Sequence, residues 1–276
     1  MDGNSETAVG TGGALGTDGP PGERSRAGEP DVAGTDVSFA LVSHELRAPL
    51  SIVQGAADAA VRQDLDAEQL QKLLVVIRRN AEIAIHLAER LALAPVVEAD
   101  EVGLEIVVTD VVAIVHETID DLRTAYLGDH HLQVRGNLVS EVEADEMALR
   151  QILVNLLLNA SKYSPDDADI EVTATGDDGQ LELIVGDHGA GVPADEREHI
   201  FEKYGQVDGR SSGMGLGLFV ARGLARAHHG ELSFRPSAAG GSEFVLTLPR
   251  RQPTTPAVSP GAASTSGTVP SEGGPV

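Results

Sequence analysis

The sequence predicts an α+β chain in two parts: a helical hairpin that forms a four-helix bundle on dimerisation, then an α/β sandwich. Three observations carry that reading. Apolar residues recur at spacings of three to five over two long stretches before residue 94. From residue 104 the pattern changes to short apolar runs of strand length between capped helices. Those strands and helices do not alternate strictly, so a sandwich fits better than a doubly wound parallel sheet.

In order, residues 1–36 are rich in Gly, Asp, Glu and Pro and hold almost no large apolar side chains. They cannot bury enough surface to offset chain entropy and read as a disordered tail. The first helix is expected over Asp36–Arg62, with Leu41, Leu46, Leu50, Val53 and Ala57 on its apolar stripe. Gln63-Asp64-Leu65-Asp66 breaks it, and Asp66 is a good N-cap for a second helix over Ala67–Leu93. Ala94-Pro95 is expected to stop that helix. One hairpin is a poor core, but two from two chains make a four-helix bundle, so the expectation is a homodimer. Residues 37–97 form this first domain, and the acidic stretch Glu98–Glu101 reads as the linker to a second, 98–250.

In the second domain Leu104–Val108 reads as a strand, and Thr109 or Asp110 caps a helix ending near Ala125. Leu132–Arg135 and Val139–Val142 are short strands. Asp145 caps a strongly apolar helix to Tyr163, stopped by Ser164-Pro165. Ile170–Thr175 and Leu181–Val185 make a hairpin around Gly176–Gly179. A Gly-rich region precedes a helix over Leu216–His228, and Glu231–Arg235 and Glu243–Leu248 close the domain. Residues 251–276, rich in Pro, Thr, Ser and Gly, read as a second disordered tail.

Composition bounds the function. The 276 residues suffice for two ordinary domains. Aromatics are 3% and tryptophan is absent, so the core must be aliphatic. A net charge of −23 argues against a nucleic-acid-binding surface and against docking on anionic membranes. Without cysteine there are neither disulfides nor cysteine-ligated metals. No window approaches the roughly 18 apolar residues that a membrane helix needs, and no leader pattern opens the chain. The expectation is a cytoplasmic protein with no direct membrane insertion.

Four stretches carry chemistry. Ser43-His44-Glu45-Leu46-Arg47-Ala48-Pro49-Leu50 puts a histidine beside an acid on an amphipathic helix, with a proline that a purely packing helix would not need. Asn155 and Asn159, four apart, share a helix face, with Lys162 and Tyr163 following. Amide oxygens suit Mg²⁺, which commonly arrives with phosphates, and lysine suits phosphate. Asp187-His188-Gly189-Ala190-Gly191 ends an apolar strand with an acid and two glycines. A carboxylate there can accept a hydrogen bond from an exocyclic amine such as that of adenine. Gly213-Met214-Gly215-Leu216-Gly217-Leu218 runs straight into a helix and makes an anion site suited to polyphosphate. Its spacing is neither the dinucleotide fingerprint nor a Walker A loop. Between the last two, Ile200-Phe201-Glu202-Lys203-Tyr204 either joins the core or anchors the following loop as a lid.

Together these stretches resemble the catalytic core of bacterial two-component sensor histidine kinases: a HisKA-type dimerisation and phosphoacceptor domain plus a GHKL-type ATP-binding domain of the Bergerat type. Ser43–Leu50 looks like the H box, Asn155–Tyr163 the N box, Asp187–Gly191 the G1 box, Ile200–Glu202 the F box and Gly213–Leu218 the G2 box. The resemblance implies ATP and Mg²⁺ as cofactors, His44 as phosphoacceptor and Glu45 as the group that draws off its proton. It implies Asn159 as the Mg²⁺ ligand, supported by Asn155, with Lys162 and Tyr163 completing that box around the phosphates. Asp187 would meet the adenine amine in a pocket shaped by Gly189 and Gly191. Gly213, Met214, Gly215, Leu216 and Gly217 would line the phosphates. The phosphoryl group would pass to an aspartate on a response regulator receiver domain, and input would come from a separate sensor protein, from the tails, or from nothing at all. Family members that also dephosphorylate their partner usually carry Thr or Asn where this chain has Ala48, so weak phosphatase activity is expected. His188 and the His228-His229 pair read as structural. The rivals are a catalytically degenerate GHKL-type dimeric scaffold or phosphotransfer module, against which the intact nucleotide motifs count, and a GHKL kinase acting on serine or threonine, which lacks the H-box hairpin.

Overall fold

The computed structural model describes residues 32–62, 65–128, 130–136, 141–177, 179–207, 213–238 and 240–253. The chain divides into two units, Met1–Phe39 and Ala40–Val276. Of the first, only residues 32–39 are described, as helix. Residues 1–31 and 254–276 of the expected tails lie outside the described residues, while 251–253 are described: Gln252 donates from its N–H to Glu143 Oε2 and from Nε2 to Glu143 O, both at 2.9 Å, so the ordered chain runs past the expected limit at 250.

Helix α1 (Val32–Arg62) begins four residues before Asp36. Val32, Ala33 and Val37 extend a helical pattern across Gly34, whose cost of about 1 kcal/mol a long helix tolerates. Pro49 sits inside α1 and is buried, and the helix continues through it. Helix α2 (Ala67–Glu98) opens with a full capping box: Asp66 accepts from the Gln69 N–H at 2.8 Å, and the Gln69 side chain accepts from the Asp66 N–H at 3.1 Å.

The expected stop at Pro95 is corrected. α2 runs through Pro95 to Glu98. The proline removes one hydrogen-bond donor, but its carbonyl still accepts from Ala99 N at 3.0 Å. Tertiary packing holds this last turn: Val97 lies so close to Gly223 that a Cβ there would come within 2.1 Å of Val97 Cγ1. Only glycine permits that approach.

The α/β part holds a two-stranded antiparallel sheet, β1 (Val107–Asp110) with β3 (Glu141–Ala144), and a five-stranded mixed sheet. The second has the order β2 (Leu132–Arg135), β4 (Ile170–Gly176), β5 (Gln180–Gly186), β7 (Ser242–Pro249), β6 (Glu231–Pro236). β2 and β4 run parallel and the other neighbours antiparallel. The register aligns one apolar face, with Val172 opposite Val185, Leu183 opposite Leu246 and Val185 opposite Phe244. Against it lie α4 (Glu146–Tyr163) and α5 (Gly217–Ala227), with α3 (Val111–Leu122) against α4. Aliphatic side chains dominate the buried core, with Phe201 and Phe244 as its buried aromatics.

Three further expectations shift. β1 begins at Val107, where pairing to Ala144 begins, and not at Leu104. Asp110 is the cap of α3, accepting from Val112 and Ala113 N–H at 3.0 and 3.2 Å. α3 ends at Leu122 and passes into a π-helical turn, Arg123–Leu127, in place of a regular helix to Ala125. β3 starts at Glu141; Val139 and Ser140 lie outside the described residues.

Candidate functional site

Helix α4 positions the first half of the site. Asp145 caps it, accepting from the Ala148 N–H at 2.9 Å, and nine of its residues are buried, which fixes its rotation. Asn159, Lys162 and Tyr163 then face a cavity of about 1060 Å³. Asn155, one turn earlier, is fully buried and does not line the cavity. Its Oδ1 accepts from Arg90 Nε at 2.7 Å, while its Nδ2 has no hydrogen-bond partner among the described residues. The Lys162 ammonium stands 4.7 Å from the centre of the Tyr163 ring.

Asp187 follows the end of β5 and is buried. Its Oδ1 accepts from Gly189 N at 2.8 Å and Ser242 N at 3.1 Å, and its own N–H donates to Ser242 O at 2.8 Å. Burial dominates and pushes its carboxyl above the ordinary value, against the lowering effect of those hydrogen bonds. A carboxylate held this way in the cavity wall has acceptor capacity left for a ligand donor. Sequence reasoning missed Gly241 and Ser242, which back this loop. At φ 93°, Gly241 stands where a Cβ would meet Asp187 O at 2.0 Å. The Gly-Gly-Ser run entering the last strand was the available signal.

The glycine-rich segment closes the cavity at the N-terminus of α5. Gly213, Met214, Gly215, Leu216 and Gly217 all line it. Tyr204 N donates to Gly215 O at 3.1 Å, and Gln206 Nε2 donates to Gly213 O. Ile200 and Phe201 are buried in a 3₁₀ turn, His199–Phe201, while Tyr204 is exposed. Residues 208–212 of the expected lid lie outside the described residues.

The site residues meet unevenly. Asn159, Lys162, Tyr163, Asp187, Gly191 and Gly213–Gly217 share the cavity, and so does Glu45 from α1. Gly189 contacts the Asp187 carboxylate without lining it. His44 is exposed on α1 and is not part of the wall. Tyr126 and Arg90 line the cavity and were not anticipated. His228 is fully buried and joins α5 to α4, in keeping with a structural role.

Two family models match in chain order. Residues 38–95 match the His Kinase A (phospho-acceptor) domain, and residues 144–252 match the Histidine kinase-, DNA gyrase B-, and HSP90-like ATPase. The first span contains His44 and the second contains every cavity residue from Asn159 to Gly217. The chain carries a sensor histidine kinase catalytic core.

Curated relatives of this histidine kinase core include the histidine protein kinase DivJ of Caulobacter vibrioides, 31% identical over 79% of this chain and 38% of that protein. The sensor protein CutS of Streptomyces coelicolor is 31% identical over 75% of this chain and 51% of that protein. The chain thus spans about half or less of the length of these relatives. Among solved structures, full-length ShkA in complex with AMPPNP is 25% identical with a TM-score of 0.56, over 79% of this chain and 46% of that one. The Acinetobacter baumannii histidine kinase AdeS, 22% identical with a TM-score of 0.52, shares the fold over 75% of this chain and 98% of its own.

Proposed function

We propose that this chain is an autokinase that binds ATP in the 1060 Å³ cavity, phosphorylates His44, and passes the phosphoryl group to an aspartate of a response regulator receiver domain. One observation carries the reading: Glu45, the neighbour of His44, lines the same cavity as Asp187, Asn159 and Lys162. The residue beside the proposed acceptor thus belongs to the wall of the nucleotide pocket.

In this reading Asp187 accepts the adenine amine, and Gly191 with Gly189 shapes the pocket around the base. Gly213–Gly217 present backbone N–H groups and the positive end of α5 to the phosphates, and Lys162 adds a cation. Asn159 fits a Mg²⁺ that arrives with substrate. It offers one neutral oxygen donor, and the described residues hold no cluster of three or more acidic or imidazole groups that would bind the ion alone. When bound, the ion neutralises phosphate charge. A ring nitrogen of His44 forms the P–N bond as the bond to the β-phosphate oxygen breaks and ADP leaves. Glu45 takes the proton that the imidazolium must lose.

The hairpin supports a homodimer: Leu50, Ile52, Val61, Leu70, Leu74 and Val75 are exposed. No described helix is long and apolar enough to cross a membrane. The domain limits 37–97 and 98–250 and a cytoplasmic location are parts of the same proposal.

Incubation with γ-labelled ATP and Mg²⁺ tests it. The expected result is an acid-labile, alkali-stable label on the wild type, absent from both His44→Ala and Asn159→Ala, with nucleotide affinity lost only in Asn159→Ala. Label persisting in His44→Ala overturns the phosphoacceptor assignment. An alkali-labile, acid-stable label would point to serine or threonine.

A further inference from the structure

Helix α2 brings a cation into the wall of the cavity. Arg90 is part-buried, lines the cavity, and donates from Nε to Asn155 Oδ1 at 2.7 Å. Its Nη1 and Cζ lie 3.8 and 3.7 Å from where a Cβ on Gly217 would stand. Gly217 is the first residue of α5.

This placement is unfavourable as it stands. Among the described residues no carboxylate forms an ion pair with Arg90, and neither Nη1 nor Nη2 makes a hydrogen bond. Its neighbour Glu89 is engaged with His86 instead, at 3.1 Å. The N-terminus of α5 carries the positive end of its dipole, so the guanidinium sits beside charge of its own sign. Loss of solvent is the largest influence on Arg90 and pulls its pKa below the ordinary arginine value. Tyr126 and Glu89 offset that loss in part, but neither pairs directly with the guanidinium, and a part-buried cation without a direct anionic partner is costly to keep. Asn155 contributes its oxygen to this cation, leaving its own amide nitrogen buried and unpaired. The arrangement is satisfied if an anion enters the cavity between Arg90 and the helix end.

We propose that Arg90 is a phosphate-binding residue supplied to the nucleotide site by the helical hairpin, and that Asn155 is the positioning residue that aims it. Nε is committed to Asn155, which leaves the two Nη groups to donate to phosphate oxygens. Bound nucleotide then ties α2 to α4 and α5 through its phosphates as well as its base. The proposal rests on the reading of the cavity as an ATP site.

Calorimetric titration of the full chain with ATP and with adenosine tests it, in the wild type, Arg90→Gln, Arg90→Lys and Asp187→Asn. Arg90→Gln is expected to weaken ATP about tenfold, the loss of one charge-assisted contact, and to leave adenosine unchanged. Arg90→Lys, which keeps the charge without the fork, falls between. Equal ATP affinity in wild type and Arg90→Gln overturns the proposal. Tighter ATP binding in Arg90→Gln also overturns it and makes Arg90 a plug that nucleotide must displace. An equal loss for ATP and adenosine in both Arg90 variants would mean a purely structural role and likewise overturns it. Failure of the ATP-site reading has a different signature: the wild type binds neither ligand, or Asp187→Asn binds adenosine as well as the wild type does.

Discussion

Nε2 of His228 accepts the backbone N–H of Asp145 at 3.0 Å, while its Nδ1 donates to Leu224 O at 2.7 Å. One neutral imidazole thus joins the end of α5 to the cap of α4, the two helices that frame the nucleotide cavity. Burial is the main cause that pushes His228 below its ordinary value of 6.5.

The sign of the resulting pH dependence follows. With its pKa depressed in the fold, His228 binds fewer protons folded than unfolded. Its contribution is fully present above pH 6.5 and is lost as pH falls below 6.5 toward the folded value. Urea unfolding between pH 7.5 and 5 is expected to show stability falling with acid, with a shallower slope in His228→Leu. The variant should lose about 1–3 kcal/mol at pH 7.5, because the Asp145 N–H is left without its acceptor. An unchanged slope would remove His228 from the account.

Asp187 behaves in the opposite sense. Its carboxyl is raised by burial, so keeping it ionised at pH 7 works against folding. Asp187→Asn keeps an oxygen for Gly189 N and Ser242 N. The expected outcome is an unchanged or higher Tm for the ligand-free protein together with loss of adenosine binding, read by thermal melts with and without ligand. A Tm lower by more than about 3 °C, corresponding to more than about 1 kcal/mol for a protein of this size, would mean that the charge serves the fold.

Gly241 supports that carboxylate from behind. Gly241→Ala must displace the Asp187 carbonyl, since a Cβ would stand 2.0 Å from it. Nucleotide affinity should fall at least tenfold while far-UV circular dichroism remains that of the wild type. Wild-type affinity in Gly241→Ala would show that the G1 turn tolerates a shift.

Ala48 follows His44 by one helical turn and is exposed. It offers no side-chain group to orient a water. Incubating a phosphorylated partner regulator with this protein and ADP is expected to give decay at the spontaneous rate, with Ala48→Thr faster. Clear acceleration by the wild type would defeat this expectation.

The α/β layers were readable because their signals are local. Asp145, the apolar spacing through Leu157 and the Ser164-Pro165 stop delimit α4 without help from elsewhere. Pro95 misled because a local stop signal was outweighed by the contact of Val97 with Gly223, which no window of sequence contains. β1 shifted for a similar reason: pairing with β3, not apolar content, sets its start. The candidate site was legible as motifs but not as a wall. Glu45, Tyr126 and Arg90 reach the cavity from elements distant in sequence; Arg90 and Asn155 are 65 residues apart. Ser242 was missed because it bonds Asp187 across 55 residues of chain, through two backbone hydrogen bonds and its side chain, a pairing no local window contains.

Pro95 falls between two of the places where α2 is fastened, Arg90 on α4 and Val97 on α5. The turn between the fastenings is therefore the one with a missing hydrogen bond. Beyond the proline the helix is held by Val97 against Gly223 and by Glu98 paired with Lys203 at 2.6 Å; before it, the hold is a hydrogen bond in the cavity wall, so only the near side of the break touches the nucleotide pocket.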